Sequence, residues 1–358
     1  MSVVVDNLLP DAIKKLTPYQ SARRIGIQGH LYLNANELEH TIAFEGSTEP
    51  YNRYPDFKPQ QVADAYLRYC DSQADCLAVR GADEGIDLIV RTFCGPGSDA
   101  ILVCPPTYGM YEICATAANV GVRRVPLTAE FQLDLQGIDA ELDNTKVIFL
   151  CAPNNPTGNA IELASIRRVL EQTRRTHVVV VDEAYIEFSD QPSVVALLDE
   201  FDHLMVIRTL SKAFGLAAIR CGFVLGQVEA IDCLRKLIAP YPMPDPTSDI
   251  ALKALSANSI QMVRDSVADQ KQLKAWFCSE LEKLPVVERI FPSDTNFVLV
   301  RFKDGVNAFE QLVQNGIVAR DQSHEAVLDQ CVRITMGSQQ SMAEILSVLN
   351  KKQTREFQ

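Results

Sequence analysis

Short apolar runs alternate with helical patterns through the middle of the chain. Each run is four or five residues long, rich in β-branched residues and bounded by breakers or polar residues, which is typical of strands that a sheet buries on both faces. The runs are Ala100–Cys104, Val147–Cys151, Val178–Val181 and Leu204–Ile207. Between them, Asp83–Phe93 and Ile161–Arg175 each place apolar residues on one helical face. The alternation predicts an α/β fold with a mostly parallel central sheet and helices on both faces.

The pattern changes after Pro240. Four prolines fall within residues 240–246, which predicts a linker or loop before a long helical stretch. Beyond it we predict strands at Phe297–Phe302, Ile317–Arg320 and Cys331–Thr335, and helices at Val306–Asn315 and Ser341–Lys351. A chain of 358 residues exceeds one usual core. We therefore predict a large α/β domain at residues 46–240, and a smaller α+β domain built from residues 1–45 and 241–358.

Composition and charge narrow the class of protein. The formal net charge of −12 argues against a nucleic-acid binder, which presents a basic face, although a few arginines in a pocket can still attract an anionic substrate. The chain has no apolar run near the roughly 18 residues of a membrane span, and its first residues do not have the pattern of a secretory signal. The ten cysteines form no C-x-x-C pair, so we expect free thiols in a reducing compartment. These features predict a cytoplasmic protein without nucleic-acid or membrane partners.

Polar residues follow the ends of four predicted strands. They are Pro105–Tyr108, Ala152–Gly158, Asp182–Tyr185 and Arg208–Lys212. Ligands of open α/β sheets bind beyond the carboxyl ends of the strands, so these segments predict one shared site.

The residue types at these strand ends suit pyridoxal 5′-phosphate (PLP). This cofactor needs a lysine to form an imine, a carboxylate to keep its pyridine nitrogen protonated, donors for its phenolate oxygen and a cradle for its phosphate. A helix N-terminus with hydroxyls and an arginine provides such a cradle. The candidates, in that order, are Lys212, then Asp182, then Asn155 with Tyr185, and for the phosphate Ala82 and Asp83 at a helix start together with Thr209, Ser211 and Arg220.

Several ordered motifs resemble a known family. Asn154–Gly158 (NNPTG), Asp182–Tyr185 (DEAY) and Ser211–Gly222 (SKAFGLAAIRCG) are similar to the signature of fold-type I, class II aminotransferases. Within that family the chain resembles the histidinol-phosphate aminotransferases from about Leu16 to Gly337. The motifs that carry this closer likeness are LTPY, LNANE, NRYP, RGADEGI, PPTYGMY and LRKLIAPYP, which begin at Leu16, Leu33, Asn52, Arg80, Pro105 and Leu234.

The resemblance implies an activity and an assembly. It implies transfer of the amino group of L-histidinol phosphate to 2-oxoglutarate, giving imidazole acetol phosphate and L-glutamate by ping-pong chemistry through PLP. It also implies a homodimer with active sites at the interface, in which Tyr54 reaches the PLP phosphate of the neighbouring subunit. Further implied roles are stacking on the PLP ring for Tyr108, binding of substrate anions for Arg320 and Arg333, and lining of the substrate pocket for Tyr19 and Asn36.

Other readings of the same motifs remain open. A phosphothreonine decarboxylase or an aromatic aminotransferase would use the same fold, and a PLP-binding regulator without catalytic activity is an alternative of another class. The intact set of Lys212, Asp182, Asn155, Tyr185 and Arg220 favours an enzyme, because a regulator has no chemical need for all five. The five histidines have no metal-ligand spacing, so we expect no metal.

Overall fold

The computed structural model of the chain describes residues 8–10, 13–14, 53–57 and 59–350. It contains a seven-stranded sheet and a four-stranded sheet. The first sheet positions the predicted site, and the second contributes one wall of it.

The seven-stranded sheet has the strand order β1-β7-β6-β5-β4-β2-β3. Its neighbours β3, β2, β4, β5 and β6 pair in parallel, whereas β7 pairs antiparallel with both β6 and β1. The carboxyl ends of β4, β5 and β6 therefore meet at one edge. The strands are β1 (Asp75–Val79), β2 (Ala100–Val103), β3 (Gly121–Arg124), β4 (Thr145–Cys151), β5 (Val178–Asp182), β6 (Leu204–Thr209) and β7 (Gly222–Gly226).

Helices cover both faces of this sheet, because side chains of each strand alternate between two apolar clusters. In β4, Ile148 and Leu150 join one cluster, whereas Val147 and Phe149 join the other. The first cluster includes residues of α1 (Gln60–Cys70), α4 (Leu135–Ala140), α5 (Leu163–Thr173) and α7 (Asp245–Ala254), and the second includes residues of α2 (Ala82–Phe93), α3 (Met110–Ala117) and α6 (Val228–Leu237).

The four-stranded sheet is antiparallel with the order β10-β11-β9-β8. Its apolar cluster contains Phe277 and Leu281 of the long helix α8 and Leu349 of the last helix. The elements are α8 (Ala257–Leu281), β8 (Val287–Ile290), β9 (Phe297–Phe302), α9 (Ala308–Gln314), β10 (Arg320–Asp321), β11 (Cys331–Thr335) and α10 (Gln339–Asn350).

Most predicted elements are present, and the differences have physical reasons. Strands β3, β7 and β8 were not predicted; β3 and β8 are largely exposed or half-buried edge strands and lack a continuous apolar run. The strand predicted at Ile317–Arg320 was wrong, since only Arg320–Asp321 pairs there. The proline-rich linker ends earlier than expected, because α7 begins at Asp245 with Pro246 in its first turn, where a missing N–H costs no hydrogen bond.

The N-terminal segment touches the larger sheet where it is described. Leu8 and Leu9 are buried in the same cluster as α2 and α6, although we expected residues 1–45 to belong with the smaller sheet. Most of this segment lies outside the described residues, so the division of the chain into two domains stays a prediction.

Candidate active site

A cavity of about 590 Å³ lies between the carboxyl edge of the seven-stranded sheet and strands β10 and β11. Its volume falls in the range typical of small-molecule sites, roughly 300–1,000 Å³. Its position beyond the strand ends is where ligands of open α/β sheets bind. The lining includes the predicted residues Ala82, Asp83, Tyr108, Asn155, Asp182, Tyr185, Thr209, Ser211, Lys212, Arg220, Arg320 and Arg333.

Asp182 is the last residue of β5 and its carboxyl group is buried. Burial raises the pKa of this carboxyl, and hydrogen bonds from the Tyr111 hydroxyl and the Ala184 backbone partly offset the increase. The net result is a pKa of about 6. The Tyr111 hydroxyl donates to Oδ2 at 2.8 Å and the Ala184 N–H donates to Oδ1 at 3.1 Å. A cationic N–H group at this carboxylate would favour its charged form, so Asp182 fits a protonated pyridine nitrogen.

Tyr111 is a site residue that we did not predict. It lies in α3, is fully buried and stacks on Phe149 with ring centroids 4.8 Å apart. The ring packing fixes the hydroxyl beside Asp182, 71 residues further along the chain. The sequence signal was present in the PPTYGMY motif, but an apolar helical face favours core packing for such a tyrosine.

Lys212 lies in the turn that follows β6. Its amine is 5.5 Å from the centroid of the Tyr185 ring. Although the residue is exposed to the cavity, desolvation by the cavity walls is the main cause that lowers its pKa, and the nearby Arg333 lowers the pKa further. A larger neutral fraction of this amine suits a residue that must act as nucleophile and base.

The N-terminus of α2 forms the predicted cradle. Gly81 precedes the helix without a side-chain cap, so the N–H groups of the first turn remain available to an anion. Beside them, Arg220 forms an ion pair with the Asp83 carboxylate at 3.2 Å, and the Tyr108 hydroxyl donates to the same carboxylate at 2.9 Å. Thr209 Oγ1 lies 2.9 Å from Ser211 Oγ on the adjoining turn.

Two glycines make this close packing possible. Gly81 has a φ of +84°, and a Cβ there would overlap the guanidinium of Arg220. A Cβ on Gly222 would lie 2.6 Å from the backbone nitrogen of Ala82. The helix start and the segment that carries Arg220 therefore approach each other only because both side chains are absent.

The opposite wall comes from the four-stranded sheet. Arg333 of β11 pairs in register with Arg320 of β10, so the two guanidiniums project from one face of the sheet. Arg333 also donates to Oδ1 of Asn155, which follows β4. Burial lowers the pKa of Arg333, and the positive charge of Arg320 lowers it further, whereas Tyr185 raises it.

A buried ion cluster supports the strand ends from behind. The guanidinium of Arg208 lies 3.4 Å from a carboxylate oxygen of Glu183 and 3.4 Å from one of Glu187. Glu183 also accepts from the Ser193 hydroxyl and the Val194 backbone, each at 2.7 Å. Because these acids follow Asp182 and Tyr185 in the chain, the cluster fixes the backbone that carries both.

Of the remaining predicted residues, only Tyr54 is described, and it does not line the cavity. Tyr54 is 49% exposed and its ring stacks on Tyr241 at 4.5 Å, so its predicted contact with a neighbouring subunit stays a prediction. Tyr19 and Asn36 lie outside the described residues.

Two general properties of the described residues bear on the site. Among them, no group of three or more His, Cys, Asp and Glu side chains is placed to hold a metal ion. Within the same ranges, no helix combines the length and the apolar character that crossing a bilayer requires.

Comparison with known sequences gives one family. Residues 30–349 match the family described as aminotransferase class I and II. Similar proteins include the histidinol-phosphate aminotransferases of Escherichia coli strain SMS-3-5 / SECEC and of Escherichia coli O157:H7 strain EC4115 / EHEC. Each is 45% identical over 353 residues, which cover 98% of this chain and 99% of the relative.

Solved structures share the fold. The histidinol-phosphate aminotransferase from Clostridium acetobutylicum matches with a TM-score of 0.77 and 25% identity, over 84% of this chain and 90% of that one. The L-threonine-O-3-phosphate decarboxylase from Porphyromonas gingivalis matches with a TM-score of 0.71 and 21% identity, over 84% and 90%. The second likeness is evidence of a common fold alone.

Proposed function

The chain belongs to the class I and II aminotransferases, and from this premise we propose that it transfers the amino group of L-histidinol phosphate to 2-oxoglutarate. The products are imidazole acetol phosphate and L-glutamate, in a step of histidine biosynthesis. The observation that carries the proposal is a single cavity that joins Lys212 and Asp182 to the paired arginines Arg320 and Arg333. The family and the fold-type I architecture predicted from the motifs are confirmed.

PLP is the cofactor of this family, and the cavity residues fit its groups. When bound, PLP supplies a cationic ring that accepts electrons from the substrate α-carbon. Asp182 stabilises the protonated ring nitrogen, and the ring of Tyr108 stacks on the cofactor ring. Asn155 and Tyr185 bind the phenolate oxygen. The phosphate is bound by the first turn of α2, which includes Ala82 and Asp83, together with Thr209, Ser211 and Arg220.

Lys212 has two tasks in this scheme. Its amine would hold the cofactor covalently, and once the substrate amine has taken its place the free Nζ would remove the proton from the substrate α-carbon and deliver it to the cofactor carbon. The desolvation that lowers the pKa of Lys212 supports both tasks, since only the neutral amine can accept a proton.

Arg320 and Arg333 bind the anionic ends of the two substrates in turn. A guanidinium fork matches both phosphate and carboxylate, which suits a ping-pong reaction in which one pocket accepts a phosphate ester and then a dicarboxylate. Burial is the main cause that lowers the pKa of Arg333, and the positive charge of Arg320 adds to it, so a bound anion would offset both effects.

The assembly and location belong to the same proposal. We infer a homodimer in which the exposed Tyr54 contacts the PLP phosphate of the neighbouring subunit, and in which Tyr19 and Asn36 line the substrate pocket. We also infer a cytoplasmic enzyme of two domains, residues 46–240 and residues 1–45 with 241–358.

A coupled assay tests the proposal. Purified protein with PLP is given L-histidinol phosphate and 2-oxoglutarate, and glutamate is measured. Glutamate formation that depends on histidinol phosphate supports the proposal. Release of CO₂ from a phosphorylated amino acid without glutamate indicates a decarboxylase, and preference for an aromatic amino acid indicates an aromatic aminotransferase. If no amine donor bleaches the imine absorbance in a single turnover, the protein is a non-catalytic PLP binder.

A further inference from the structure

Gln322 is a buried residue whose side-chain amide faces the cavity. Only 4% of the residue is exposed, and it lies in the cavity lining. Its backbone N–H donates to the Cys331 carbonyl at 2.9 Å, and its carbonyl accepts from the Glu325 N–H at 3.0 Å. Within residues 53–57 and 59–350, no side-chain hydrogen bond of Gln322 is found. The amide atoms of Gln322 are not among the fully buried polar atoms that lack a partner in these ranges, so they reach the cavity, where a ligand can bind them.

The neighbours of Gln322 define what it faces. Arg320 precedes it by two residues, and both side chains line the cavity, as the alternation along an extended segment requires. Arg333 lies opposite Arg320 in the register. This wall therefore presents two guanidiniums and one neutral amide, and His324 and Glu325 of the same segment also reach the lining.

The donors on this wall exceed what a carboxylate needs. Each carboxylate of 2-oxoglutarate has two oxygens, which one guanidinium fork satisfies, so the two arginines already match the dicarboxylate and the amide is left over. A phosphate monoester has three terminal oxygens and about −1.5 to −2 charges at neutral pH, and it can use the second arginine and the amide as well. The amide adds a donor without adding a charge, so it favours the ligand with more acceptor oxygens.

We propose that Gln322 Nε2 donates a hydrogen bond to the phosphate of the amino donor, and that Gln322 is therefore a specificity-determining residue for phosphate esters. This inference rests on the proposed function. It assigns Gln322 to the half-reaction of the phosphorylated amine and leaves the half-reaction of the dicarboxylate to the arginines.

The test is Gln322→Met, which keeps the length of the side chain and removes the amide. The two half-reactions are followed separately by cofactor absorbance. For L-histidinol phosphate we expect kcat/KM to fall on the order of tenfold, mainly through KM, because a hydrogen bond to a charged group is lost. For 2-oxoglutarate and for unphosphorylated L-histidinol we expect less than about twofold change, since the missing group has no partner there.

Folding provides an independent readout. An amide without a protein partner contributes nothing to the fold, so Gln322→Met should unfold at the same temperature as the wild type or higher. Gln314→Met, at an exposed position of α9, is the matched control and should leave both half-reactions unchanged.

Three outcomes overturn the inference. They are an unchanged response to L-histidinol phosphate, an equal loss for both amino donors, and an equal loss for 2-oxoglutarate. The first outcome would show that Gln322 does not contact the substrate. The second would show that it contacts the imidazole end of the substrate, and the third that it contacts anions of either kind. Failure of the wild type to use L-histidinol phosphate at all would instead overturn the proposed function. If Gln322→Met does not fold, Gln322→Glu tests the same point, because a new negative charge should weaken the phosphate ester more than unphosphorylated L-histidinol.

Discussion

The two walls of the cavity differ in how their charges are paired. On the wall from the seven-stranded sheet, Asp182 accepts from Tyr111 and from the Ala184 backbone, and Asp83 is paired with Arg220. On the wall from the four-stranded sheet, Arg320 and Arg333 stand opposite each other as like charges. Preorganised polar groups cost little free energy to use when a ligand binds, whereas cations that form no ion pair with the described residues attract anions. The first wall is therefore organised for a resident cofactor, and the second for exchangeable substrates.

The largest effect that would sharpen this comparison is at Lys212. Lys212→Ala should reduce glutamate formation by more than about 10⁴-fold, because it removes both the covalent attachment and the proton transfer. Lys271→Ala changes a half-buried lysine outside the cavity that pairs with Asp190 and should leave the rate unchanged. Turnover near the wild-type rate in Lys212→Ala would contradict the assignment of the first wall.

The second wall is tested at Arg333. Arg333→Met should lower kcat/KM for both L-histidinol phosphate and 2-oxoglutarate by roughly 10²–10³-fold, since two charge-assisted hydrogen bonds are lost. Arg91→Met, which breaks only an exposed ion pair within α2, serves as the control. A loss confined to one substrate would show that the two anions do not share this arginine.

The third effect concerns the free energy of unfolding. It distinguishes the protonated form of Asp182 from its charged form in the cofactor-free protein. The folded pKa of Asp182 is about 6, against an ordinary value of 3.8. Between about pH 4 and pH 6 the cofactor-free folded protein binds more protons than the unfolded chain, so its stability falls as pH rises through this window. Asp182→Asn removes this loss of stability with rising pH, because asparagine does not titrate. Above pH 6 the cofactor-free variant should be more stable than the wild type by on the order of 2–3 kcal/mol, although its affinity for PLP is lower.

Denaturant unfolding of the cofactor-free proteins at several pH values measures this difference. Parallel stability curves for the wild type and Asp182→Asn between pH 4 and pH 7 would contradict it.

The smallest effect concerns Tyr111. Tyr111→Phe removes a hydrogen bond that lowers the pKa of Asp182, so the pKa rises and the carboxylate persists only at higher pH. The acid limb of cofactor binding should move up by about one pH unit, as measured by absorbance of the bound PLP. Tyr69→Phe removes a hydroxyl that donates to Glu187 outside the cavity, and it should not shift the acid limb of cofactor binding.

The sequence predicted the first wall better than the second. Lys212, Asp182 and Asn155 follow buried apolar strands, and parallel strands bring their carboxyl ends to one edge whatever the details of packing. Tyr111 could not be assigned in this way, because its role depends on a contact across 71 residues.

On the second wall, the family resemblance implied roles for Arg320 and Arg333 but gave no reason to select Gln322. Its proposed role rests on an amide that has no side-chain hydrogen bond within residues 53–57 and 59–350, and a single sequence does not record which polar groups have partners. The same limit explains the wrong prediction of a strand at Ile317–Arg320, since only Arg320 and Asp321 pair with β11.

The contact of Gly81 with Arg220 constrains how this protein can change over generations. The guanidinium occupies the space that any side chain at position 81 would need. An alanine at position 81 would displace the guanidinium from beside the phosphate cradle, and it would also strain a backbone whose φ is +84°. Position 81 therefore requires glycine even where Arg220 is replaced, and a redesign of this cofactor pocket must keep that glycine.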